Sequence, residues 1–101
     1  MGITMTEERR APEILEEGAA TFRVRNAAYG DTYLQLGAIL QAFFPDGLPD
    51  LKTADDWNRF SLWLAALLKL QRYSNNLHRG GHKDSAHDAM VYSAMLEEVT
   101  K

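Results

Sequence analysis

The sequence predicts an all-α fold, with four helices in an up-down, antiparallel, bundle-like single domain. Three observations carry this. Apolar residues recur at three- and four-residue spacing through four separate stretches. Glycine, proline, asparagine and aspartate gather between those stretches. No window alternates apolar and polar residues as a half-buried strand would. The chain has 101 residues and is 46% hydrophobic, which suits one compact domain. The expected organisation is a flexible tail over residues 1–11 and one helical domain over residues 12–100.

Pro12 suits the first turn of helix one, where its missing N–H costs nothing. Ile14, Leu15, Gly18, Phe22 and Arg25 follow helical spacing. Gly30 can stop this helix and Asp31 can cap the next. Helix two carries Leu36, Ile39, Leu40 and Phe43 on one stripe and ends before "PDGLPDLK". Helix three opens with "TADDW": Thr53 is a good N-cap, and Asp55 and Asp56 favour the positive helix end. Trp57, Phe60, Leu64, Leu67 and Leu68 form its expected buried stripe, widened by Leu62 and Trp63, so this helix should be central. It runs to about Tyr73. After the loop "SNNLHRGGHK", Asp84 or Ser85 caps helix four, whose apolar side is Val91, Ala94, Met95 and Val99.

Composition bounds the function. The net charge of -3 argues against a dedicated duplex-DNA binder. The absence of cysteine excludes disulfides, zinc-thiolate sites and thiol catalysis. No signal-peptide pattern opens the sequence, and the longest apolar run, "FSLWLAALLKL", is too short for a bilayer, so no membrane partner is expected. Gly2 and Thr6 match a loose myristoylation pattern that is too short to carry an assignment. A chain of this size buries roughly 60–65% of its unfolded surface, so homo-oligomerisation would help it.

Up-down topology brings the end of helix one beside the start of helix two, and the end of helix three beside the start of helix four. Arg25, Tyr29, Asp31, Lys69, Arg72, His82, Asp84 and Asp88 would gather at that pole. Lys69 and Arg72 are three apart and share a face. With Arg25 they could neutralise phosphate, next to helix starts with free N–H groups and beside Gly80 and Gly81, where backbone can approach a ligand. Tyr29 or Tyr73 could stack on a base. Asp84 and Asp88 are four apart and can face one cation, and Mg²⁺ takes one or two carboxylates plus phosphates. His82 and His87 suggest a transition metal, but His87 and Asp88 diverge by about 100° around a helix and do not serve one ion well. Ser85 lies near His82 and Asp88, yet in a cap context rather than a strained nucleophile turn. The plain structural alternative is that Asp84 caps helix four and Asp88 pairs with Lys69 or Arg72.

"RNAAYGD", "LLKLQRY" and "HKDSAHDAMVY" together resemble a group of small phage and prophage proteins whose function is not established. The pattern is Arg25 before Tyr29-Gly30-Asp31, then Lys69 and Arg72, then Asp84, Ser85, Asp88 and Tyr92. The resemblance covers roughly residues 16–98. The layout is also similar to MazG-like all-α nucleotide pyrophosphatases, which are helical, usually oligomeric, and hold Mg²⁺ with paired acidic motifs. This chain departs from them: Glu13, Glu16 and Glu17 lie about two turns or more from Tyr29-Gly30-Asp31, given a rise of ~1.5 Å per residue. The resemblance implies a phage-type protein in the cytoplasm of a bacterial host; together with the charged pole it leads to the expectation of a phosphorylated nucleotide-like ligand bound through Arg25, Tyr29, Lys69, Arg72 and Tyr92. Asp31, Asp84 and Asp88 would orient the cations or hold Mg²⁺, and the ligand would be processed or merely sequestered, as in a phage counter-defence protein. Two other classes stay open. One is a non-catalytic interaction module for a host protein, and the other is a Mg²⁺-dependent pyrophosphohydrolase.

Overall fold

The computed structural model describes residues 9–101. The described residues form four α-helices and one 3-10 turn (Leu77–Arg79), with no strand among them: α1 Ala11–Tyr29, α2 Thr32–Phe43, α3 Ala54–Ser74 and α4 Lys83–Glu98. The chain is all-α, as expected. The tail and the Gly2 pattern fall mostly on residues 1–8, which lie outside the described residues. The chain divides into two compact units, Met1–Gly30 and Asp31–Lys101.

In the first unit, Pro12 sits in the first turn of α1 and the Glu13 carboxylate accepts the Arg10 N–H at 3.3 Å. The helix stops where expected, with the Gly30 N–H donating to the Asn26 carbonyl at 2.8 Å.

The second unit is built around α3. Thr53 caps it as expected: the Asp56 N–H donates to Thr53 Oγ1 (3.1 Å) and the Thr53 N–H donates to Asp56 Oδ2 (3.0 Å). This reciprocal box satisfies two donors that the first helical turn leaves open. Two contacts show that α4 runs antiparallel to α3. Arg59 Nη1 near the start of α3 donates to the Val99 carbonyl at the end of α4 (3.3 Å), and Lys69 near the end of α3 pairs with Asp88 near the start of α4. Small residues line this seam: Ala66 on α3, and Ser85 and Ala89 on α4, are all buried.

On its other side α3 meets α2, also antiparallel. Gln71 Nε2 donates to the Thr32 carbonyl (3.1 Å) at one end. Phe43 and Phe44 meet Trp63 at the other, with ring centroids 5.2 and 5.3 Å apart and edge-on. Phe60 stacks on Trp63 at 6.0 Å. Edge-to-face and offset pairs of this kind add to simple burial. α3 is the central helix of this unit, as its broad apolar face predicts.

Three local expectations need correction. Asp31 occupies the position before α2 but makes no side-chain cap hydrogen bond; its carbonyl accepts the Leu34 N–H instead. α4 begins at Lys83 and is capped by His82, not by Asp84 or Ser85, because Asp84 and Ser85 already lie inside the first turn. The expected stripe of α3 is only partly covered: Trp57 and Leu68 are exposed. Spacing identifies an apolar face, but neighbours reach only the part of it that turns toward α2 and α4.

Candidate functional site

The second unit brings the end of α3 and the starts of α2 and α4 to one pole, and each sequence-derived residue can be placed against it. Lys69 Nζ lies 3.0 Å from Asp88 Oδ2, with the lysine side chain 23% exposed and the aspartate 44%. The lysine stem runs along the α3–α4 seam and its charge meets the carboxylate at the rim, as long basic side chains do on apolar surfaces. Arg72 is half-buried one turn further along α3, and Asp84 is exposed in the first turn of α4. Tyr92 is half-buried, on the helix phase of Ser85 and Ala89 that faces α3. Asp31 precedes α2 and is exposed. Arg25 is exposed on α1, which belongs to the first unit. The side chain of Tyr29 lies outside the described residues.

His82 and Ser85 form a closed local unit. His82 Nδ1 accepts the Ser85 N–H at 3.2 Å and lies 2.6 Å from Ser85 Oγ. A ring nitrogen that accepts an amide carries no proton, so the hydroxyl donates to the same atom. Ser85 is 1% exposed. This hydroxyl is the polar filling of a helix cap, and a substrate could not reach it. His87 is exposed on another face of the helix. Among the described residues, no group of three His, Asp or Glu side chains stands close enough together to hold a metal ion.

Sequence reasoning named Ser85 but missed the other two buried polar side chains, Gln71 and Asn76. Gln71, Asn76 and Ser85 are buried, and all three lie at this pole. Asn76 ties the loop after α3 together: its Nδ2 donates to the Arg72 carbonyl (2.9 Å), and its own carbonyl accepts from Arg79 (3.0 Å) and Gly81 (2.8 Å). Gln71 donates to Thr32 and Gln35, but its buried Oε1 has no hydrogen-bond partner. A buried acceptor in that state calls for an ordered water or a donor from outside. The sequence signal was its phase, since Gln71 continues the Leu64–Leu67 stripe and puts an amide where a leucine is expected.

Charge at the opposite pole has a different purpose. Asp56 is held down to a pKa of about 2, first by the Thr53 and Lys52 backbone N–H groups and the Thr53 hydroxyl, then by Arg59. Arg59 Nη2 lies 2.6 Å from its Oδ1. Because the folded pKa is depressed below 3.8, this contribution is fully present above that pH and is lost as pH falls through about 2. Asp56→Asn should therefore flatten the loss of stability between these values, read as the denaturant midpoint against pH. An unchanged acid limb would show that the box does not act through ionisation.

Two apolar grooves lie away from the charged pole. A groove of ≈ 410 Å³ is lined by Gly37, Leu40, Phe44, Leu48 and Phe60, among others, and a second of ≈ 310 Å³ shares Phe44 and Phe60 and reaches Leu96. Both are walled mainly by apolar side chains.

No family model, curated protein or solved structure matches the chain. No helix among the described residues is long and apolar enough to cross a membrane.

Proposed function

We propose that the pole formed by the end of α3 and the start of α4 binds a phosphorylated, nucleotide-like ligand, with Lys69 and Arg72 supplying positive charge. The observation that carries this is the Lys69–Asp88 pair. A partly buried ammonium is held in one direction by a carboxylate from the next helix, one turn from a second half-buried cation. Preset cations are what phosphate recognition needs, because little side-chain freedom is then lost on binding. Gly80 and Gly81 border the same pole, and Gln71 places an unsatisfied acceptor near the start of α2.

The charge balance defines the ligand further. Lys69, Arg72, Arg79 and Lys83 stand with Asp31, Asp84 and Asp88 around this pole, so it is net basic by a single charge. So small a surplus attracts a bare anion only weakly, and Asp88 already holds Lys69. A phosphate must take Lys69 from Asp88, or arrive with a divalent cation that Asp84 and Asp88 help to hold, as Mg²⁺ commonly is between carboxylates and phosphates. Arg25, Tyr29 and Tyr92 remain contacts proposed from the sequence pattern alone.

A thermal-shift panel of nucleoside mono-, di- and triphosphates, with and without Mg²⁺, tests this. A ligand at about a hundredfold excess over its Kd should stabilise the fold by about 2.7 kcal/mol. That shift should vanish in the Lys69→Met, Arg72→Met double variant. A shift that survives the double variant would move the site to the apolar grooves. Release of phosphate or pyrophosphate, lost in Asp88→Ala, would make the protein a hydrolase of the MazG-like kind.

A second reading has its own support. Leu34, Trp57, Leu70 and Leu77 are each more than half exposed, and apolar surface on this scale favours a protein partner. In that reading the protein is a non-catalytic interaction module and the Lys69–Asp88 pair simply locks α3 to α4. No thermal shift with any nucleotide, together with specific capture of a host protein, would favour it.

A further inference from the structure

The second unit is unevenly charged from end to end. The Arg59 bond to the Val99 carbonyl ties the start of α3 to the end of α4. At that end, with the loop between α2 and α3, six carboxylates (Asp46, Asp50, Asp55, Asp56, Glu97 and Glu98) stand against three cations (Lys52, Arg59 and Lys101). The surplus of three negative charges equals the net charge of the whole chain. Two of the three cations are already engaged: Arg59 by Asp56 at 2.6 Å and Lys52 by Asp50 at 3.2 Å. Asp46, Asp55, Glu97 and Glu98 are exposed.

This acidic end also carries the two apolar grooves. They share Phe44 and Phe60, whose ring centroids lie 6.3 Å apart, and both are open-sided. The first runs along α2 from Gly37 to Leu48 in the following loop. Its α2 wall is low, since a Cβ at Gly37 would meet nothing within 4 Å. The second crosses α3 to Leu96 and Thr100. Asp46 and Asp50 stand at the rim, because they alternate with the loop residues Pro45, Gly47, Leu48 and Leu51 that wall the grooves. Phe43, Leu48 and Trp57, each at least half exposed, extend the apolar surface at this end.

A small ligand is mostly enclosed by one concave pocket. Two open grooves on either side of an aromatic ridge suit a chain segment with two apolar anchors instead. Anchors four or seven residues apart on one helix face are separated by about 6 or 10.5 Å along the axis and can straddle one pair of rings. The surrounding charge sets the sign of the partner. We propose that this end docks a basic amphipathic helix of a partner protein. Two of its apolar side chains enter the grooves on either side of Phe44 and Phe60, and its lysines or arginines face Asp46 and Asp50. A second copy of this chain is not the occupant: pairing this face with itself about a twofold axis would set the two acidic surpluses against each other. The surface lies at the far end of α3 from Lys69, and its test needs no nucleotide.

Trp57 and Trp63 are the chain's two tryptophans, and both lie at this end, Trp63 in the wall of the second groove. Their emission therefore reports occupancy. The probe is a peptide of about 14 residues made of leucine and lysine alone, with its leucines three and four apart so that they share one helix face. Titrated into the full-length protein at low ionic strength, it should give a saturable blue shift of tryptophan emission. The same peptide with glutamate for every lysine should not. Asp46→Lys with Asp50→Lys should weaken binding at least tenfold. Both sites are exposed and the Asp50–Lys52 pair is a surface contact, so this variant should keep its helicity, checked by circular dichroism. Leu48→Ser changes no charge and removes half-exposed apolar wall from the first groove; it should weaken binding as well, which separates docking in the groove from attraction to net charge alone. No emission change with the basic peptide, equal binding of the acidic one, or full affinity in either folded variant would overturn the proposal.

Discussion

Trp63→Ala is expected to destabilise the second unit by about 2–4 kcal/mol, the largest effect of any single truncation in this protein. The reason is its position. Trp63 contacts Phe43, Phe44 and Phe60, at centroid distances of 5.2, 5.3 and 6.0 Å. It joins the last turn of α2 to the first half of α3, and Phe44, Phe60 and Trp63 itself wall the apolar grooves. Full burial would put the cost at the upper end of the usual range for such truncations; half-burial lowers it. For a domain of this size each kcal/mol lowers Tm by roughly 4–8 °C. Trp57→Ala is the control. Trp57 is 51% exposed and, among the described residues, has its ring contact with Phe60, at 6.3 Å, so its removal should cost much less. Equal losses in the two variants would mean that the cluster does not hold α2 to α3.

Gly81→Ala is expected to cost about 2–4 kcal/mol, and Gly80→Ala about 1–2 kcal/mol. Both glycines sit at positive φ, at 93° and 94°, where a side chain is strained in either case. Only Gly81 adds a clash. A Cβ there would lie 2.5 Å from the Tyr73 hydroxyl oxygen and 2.6 Å from Cζ, whereas one at Gly80 meets nothing. The loop thus closes by laying the Gly81 backbone against the ring of Tyr73. Combining Gly81→Ala with Tyr73→Ala should recover part of the loss and leave the backbone component, measured as a double-mutant cycle in denaturant midpoints. Strict additivity of the two changes would contradict the close approach.

These two sites differ in how far the sequence could reveal them. The capping box of α3 was legible because Thr53 and Asp56 stand at the required spacing before an apolar run. The stop at Gly30 was equally plain. The cap of α4 was not. Aspartate and serine are far commoner caps than histidine, and only the start of the helix at Lys83 gives the position to His82. The convergence of α3 and α4 ends followed from short connections, but the partner of Asp88 did not. Lys69 and Arg72 share a face, and the depth of Lys69 in the seam decides between them. Burial was the least legible property. Trp57 and Leu68 follow the apolar period of α3 and are nevertheless exposed, while Gln71, a polar residue in phase with Leu64 and Leu67, is buried. Period locates a face, and neighbouring helices determine how much of it is covered.

The most direct test of the proposed ligand site is calorimetric titration of a nucleoside triphosphate with Mg²⁺ into the wild-type chain and into the Lys69→Met, Arg72→Met double variant, at matched low ionic strength. Saturable binding to the wild type, weakened at least tenfold in a double variant of unchanged helicity, is the expected result. Equal affinity in both, or no heat of binding to the wild type from any member of the nucleotide panel, would contradict a phosphate-binding role for this pole.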